Sequence, residues 1–132
     1  MKYIGHIKKF DKYFDSKELS EMFVEKNVDQ ELRSSVIKYL LAGNFLTGWM
    51  SFLRDDDGTP IGNNDYFTDG TYIWPRYYIY YLNKFKNLEM NVDFISHVKN
   101  YNFIIPELSK DQLSKLDREW HEEIKRFQKL KS

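Results

Sequence analysis

A chain of 132 residues in which twenty basic and twenty acidic side chains cancel has the size of one domain and lacks the basic excess with which nucleic-acid modules hold phosphate. No run of about 18 apolar residues exists, so no membrane helix is expected, and the N-terminal stretch from Met1 to Phe10 has neither the apolar core nor the cleavage site of a signal peptide. The absence of cysteine removes thiolate metal sites, cysteine nucleophiles and disulfides together, and fits a cytoplasmic, reducing location.

Aromatic residues make up 17% of the chain, so large rings can supply much of the core without cross-links. After an irregular start, Asp15 or Ser16 is placed to cap a short helix carrying Leu19, Met22 and Phe23, with Glu18 completing a capping box relative to Asp15. Asn27 or Asp29 opens a second helix. Its apolar positions Leu32, Val36, Ile37 and Leu40 recur at helical spacing, and Gly43 stands where a left-handed terminating residue is wanted.

From Phe45 to Leu53 the residues become aromatic and β-compatible, and a strand ending at Arg54 is expected. The run from Asp55 to Asp65 is dense in Asp, Gly, Asn and Pro and reads as a loop. Tyr66 to Trp74 supplies the return strand, with room for a second turn at Asp69-Gly70, and Pro75 suits the first position of a third helix reaching about Lys86. Asn91 caps a fourth helix with Phe94, Ile95 and Val98. The segment from Asn102 to Glu107 is a connection, after which Ser109 and Gln112 form a capping box for a last helix marked by Leu113, Leu116, Trp120, Ile124 and Phe127. Residues 1–132 therefore read as a single α+β domain, mainly helical, with a central antiparallel β-hairpin.

Chemistry concentrates in three places. Between Asp55 and Ile73 lie five Asp and no Lys or Arg, a composition that can gather a divalent cation. The spacing fits a calcium loop poorly, since aligning Gly58 with the required glycine puts Leu53 on the first ligand position. An exposed acidic loop also suits a basic surface on a partner protein, and that reading makes Asp55, Asp56, Asp57 and Asp65, with neighbouring Tyr66, Arg76 and Tyr77, the partner-binding candidates. His97 follows Asp93 and His121 follows Asp117 at helical spacing, so each can face a carboxylate on its own helix. The Tyr-rich stretch from Tyr72 to Tyr81 can stack on bases, but holds only Arg76 as a cation, so nucleic acid is a poor partner for it. No nucleophile elbow and no phosphate-binding glycine loop appears. No catalytic residue, metal or cofactor is expected.

Two segments carry a family resemblance: Tyr39-Leu40-Leu41-Ala42-Gly43 and Thr68-Asp69-Gly70-Thr71-Tyr72-Ile73-Trp74-Pro75. Their order, with a strand and an Asp-rich turn between them and a Tyr-rich helix after, resembles small bacterial immunity proteins of contact-dependent and polymorphic toxin systems. The resemblance covers about the middle third of the chain. It implies a non-enzymatic, cytoplasmic protein that neutralises a cognate toxin domain by stoichiometric contact. The competing expectation is a small metal-dependent hydrolase using the Asp-rich loop with His97 or His121.

Overall fold

The computed structural model describes residues 1–13, 16–25 and 29–131. Its elements, in order, are strand β1 (Lys2–Tyr3), a 3-10 turn (Leu19–Met22), helix α1 (Gln30–Leu41), strands β2 (Asn44–Arg54), β3 (Pro60–Thr68) and β4 (Tyr72–Pro75), and helices α2 (Arg76–Lys84), α3 (Val92–Asn100) and α4 (Lys110–Lys131). The expected α+β class is present. The central hairpin is corrected: β2 and β3 pair antiparallel, yet they form one side of a mixed four-stranded sheet in the order β1-β4-β3-β2. The fourth strand comes from the N-terminus, read above as irregular, where Lys2 and Tyr3 pair parallel with Tyr72 and Ile73.

Side-chain alternation along β4 explains why both faces are covered. Tyr72 and Trp74 point into one core with Tyr39 and Leu40 of α1, Tyr78 and Leu82 of α2, and Phe94 and Val98 of α3. Ile73 points the opposite way and joins Leu46 of β2, Tyr66 of β3 and Trp120 and Ile124 of α4. The long last helix thus lies on that face of the sheet, with Tyr3 and Tyr13 of the N-terminal segment packed against the same cluster. It is held there by a narrow apolar seam, while its charged flanks stay in water.

The helix boundaries follow local chemistry. Asp29 caps α1 by accepting the Glu31 N–H at 3.0 Å, and Asn91 caps α3 through the Phe94 N–H at 2.9 Å. Ser109 and Gln112 exchange reciprocal bonds of 2.8 and 3.2 Å at the start of α4. The first short helix is a single 3-10 turn in which the Glu18 N–H donates to the Glu21 carboxylate; Asp15, and Asn27 as the start of α1, lie outside the described residues. Gly43 does not take the left-handed conformation expected of it. Its role is space: a Cβ there would meet the Trp74 ring at 2.5 Å and Phe67 Cβ at 3.0 Å.

The Asp-rich loop is shorter than its composition implies. Asp55 to Thr59 makes the turn, and β3 already begins at Pro60. The Asp55 N–H donates to the Thr59 carbonyl and the Gly58 N–H to the Asp55 carbonyl, so the ladder closes the turn directly.

Candidate protein-contact surface

The acidic residues at the turn are mostly not free. Asp55 is buried against α2, where its carboxylate accepts hydrogen bonds from Lys84 Nζ at 2.5 Å, Tyr80 at 2.7 Å and Tyr81 at 3.2 Å. Burial raises its proton affinity, but the Lys84, Tyr80 and Asp56 N–H bonds together outweigh that and hold the carboxyl well below the usual range. Asp55 is a rivet between turn and helix. Asp56 is exposed and bonded to Lys9, and Asp57 is exposed and accepts the Thr59 N–H at 2.9 Å. Asp65 faces back over the sheet and pairs with Arg76 at 2.9 Å, while the Arg76 guanidinium lies 5.1 Å from the Phe67 ring centre.

Tyr66 and Tyr77 are not at the surface where sequence reasoning put them. Both are buried, and their hydroxyls donate to the two oxygens of buried Asp11 at 2.6 and 2.5 Å. Burial, reinforced by Asp11, pushes both phenols far above their ordinary range, so they remain donors. The Tyr77 hydroxyl also accepts the Ile7 N–H at 2.9 Å. The pair of rings therefore fastens the N-terminal segment onto the sheet and α2, a task that leaves no ring face for a partner.

The histidines divide likewise. His97 Nε2 lies 2.7 Å from Asp69 rather than beside Asp93, and Asp69 also receives the Tyr39 hydroxyl at 2.6 Å and the N–H groups of Thr71 and Tyr72. This cluster closes the β3–β4 turn between α1 and α3. His121 stays with Asp117 on α4 at 3.3 Å. Neither histidine joins the Asp-rich turn, and among the described residues no group of three His, Cys, Asp or Glu is placed to hold a metal ion.

Beside these acids the hairpin exposes a group of apolar side chains. β2 is an edge strand, and its pairing with β3 slips between Phe45 and Thr47 and again between Trp49 and Phe52. Trp49 faces Asn64 while Phe52 faces Asn63, so Met50 and Ser51 form a two-residue bulge. A bulge interrupts the hydrogen-bonding edge and re-aims side chains. Here it leaves Met50 fully exposed between Trp49 at 43% and Phe52 at 54% exposure. An open groove of about 430 Å³ runs among Trp49, Met50, Phe52, Asn63 and Asp65. Trp49 leans on Trp120 of α4, with ring centres 5.6 Å apart, which fixes its orientation. The only sequence signal for this surface was a strand whose outward positions are apolar where polar residues are the norm. No protein-family model, curated protein or solved structure matches the chain.

Proposed function

We propose that the chain is an immunity-like protein that acts in the bacterial cytoplasm by binding a cognate toxin domain and blocking it stoichiometrically. The observation that supports this most is the exposed Trp49-Met50-Phe52 group on a bulged edge strand, set beside a turn that Asp55 fastens to α2. Trp and Met at a rigid, projecting position are residue types that anchor protein interfaces. A pre-formed turn spares the partner the cost of ordering it.

In this proposal apolar burial carries more of the contact than charge. Asp55, Asp56 and Asp65 face Lys84, Lys9 and Arg76, so Asp57 is the acid of the hairpin with most to offer a basic partner. The contact then depends only weakly on salt, since a field from internally paired charges is largely cancelled. The test is co-purification of the tagged protein with the product of the gene immediately upstream, at low and moderate salt. Recovery of a complex in equal amounts, lost on Trp49→Ala, is expected; recovery of nothing at low salt overturns the proposal.

A further inference from the structure

The chain has four methionines and no cysteine, so its most readily oxidised atoms are thioether sulfurs. The fold sorts the four. Met22 and Met90 are buried in the core with Tyr78 and Leu88, out of reach of an oxidant in water. Met1 is half-exposed beside β1, the strand at the opposite edge of the sheet from β2. Met50 is fully exposed, on the bulge of β2 between the rings of Trp49 and Phe52.

This position separates binding from folding. The Met50 side chain stands wholly in water, so a change in its chemistry removes no packing from the core. The same change at Met22 or Met90 would place a polar group among apolar neighbours, but burial shields them.

We propose that Met50 is an oxidation site that controls the contact surface: a peroxide converts its thioether to the sulfoxide in the free protein, and that form does not hold the partner. The inference rests on the toxin-binding reading of the Trp49-Met50-Phe52 group and adds its regulation. The sulfur attacks one peroxide oxygen, an S–O bond forms as the O–O bond breaks, and the other oxygen takes the transferred oxygen's proton and leaves as water. Sulfur loses two electrons and the peroxide gains them. Two thiols reverse the change, ending as a disulfide while the oxygen departs as water. The sulfoxide is polar and chiral where the thioether was apolar and adaptable. Burying its oxygen against a partner surface that offers no donor costs the contact its affinity.

The test treats the chain alone with hydrogen peroxide, removes the peroxide, and maps tryptic peptides by mass spectrometry before measuring capture of the upstream gene product. Cleavage after Lys38 and Arg54 leaves Met50 in a peptide with no other methionine. Met50 should gain one oxygen at least tenfold faster than Met22 and Met90, with the thermal unfolding midpoint unchanged. Affinity should fall at least tenfold, in step with oxidation of Met50 and not of Met1. Sulfoxide reductases of both epimer specificities, supplied with a dithiol, should restore it. In Met50→Leu, capture after peroxide should equal that variant's own capture before it. Slow oxidation of Met50, undiminished affinity in its sulfoxide form, no recovery with the reductases, or an equal loss in Met50→Leu overturns the inference. Untreated protein that captures nothing removes the toxin reading and this inference together, whereas equal capture before and after oxidation removes this inference alone.

Discussion

The Lys84 ammonium sits 2.5 Å from Oδ2 of Asp55, so the residue that opens the acidic turn is bound to the last turn of α2. Its buried carboxylate serves the fold. Asp55→Asn is expected to destabilise the protein by about 2 kcal/mol in denaturant unfolding, whereas Asp57→Asn leaves the midpoint almost unchanged. The depressed proton affinity of Asp55 sets the sign with pH: its contribution is present above about pH 4, the unfolded carboxyl range, and is lost as acidification passes below it. The wild type should therefore lose more stability below that pH than Asp55→Asn does.

His6 carries a second, separable pH dependence. Burial, opposed by nearby Asp11, lowers its pKa from the usual 6.5 to about 4. In the window between those values the unfolded chain binds a proton that the native imidazole refuses, so stability falls as pH falls, by up to about 1.4 kcal/mol per pH unit. Urea unfolding of wild type and His6→Phe between pH 6.5 and 4.5 should give curves that converge on acidification. Parallel curves would mean that His6 titrates normally in the folded state.

Arg33 does work that its place in α1 conceals. Buried, it donates to the carbonyls of Leu82 at 2.7 and 3.1 Å, Leu88 at 3.3 Å and Phe85, which closes the C-terminal end of α2 with a positive charge. Arg33→Met keeps the volume and removes all of these bonds from the buried carbonyls, at an expected cost of about 2 kcal/mol. Arg33→Lys should recover only part, because an ammonium cannot span carbonyls that a planar fork reaches together. Thermal unfolding of the three proteins gives the order.

The contact surface is expected to behave in the opposite way. Met50→Ala should change stability by less than about 0.5 kcal/mol, and Trp49→Ala by about 1 kcal/mol through its lost contact with Trp120. Each should nevertheless weaken capture of the upstream gene product tenfold or more, measured by surface plasmon resonance. Large unfolding effects with unchanged capture would place these residues with the core.

Much of the fold was legible because its signals are local. Asp29, Asn91 and the Ser109–Gln112 pair cap the helices expected of them, since a capping side chain bonds backbone only two or three residues away. The turn at Asp69-Gly70 also lies where turn chemistry placed it. The strand at Lys2–Tyr3 was not legible, because a two-residue parallel pairing draws its stability from a neighbour seventy positions on. Gly43 misled for a related reason: its neighbours in space, Trp74 and Phe67, leave no mark beside it in the chain.

The candidate surface divides along the same line. By itself the sequence determined that five Asp and many rings would gather around the hairpin, because composition is local. Only tertiary structure decided which of them face outward. Asp55, Tyr66 and Tyr77 are drawn inside by Lys84 and Asp11, since a buried polar group must find its partner wherever the fold brings one near. Trp49, Met50 and Phe52 are left partly or wholly outside because a bulge on an edge strand re-aims its side chains, which is a matter of pairing with β3 and not of local composition.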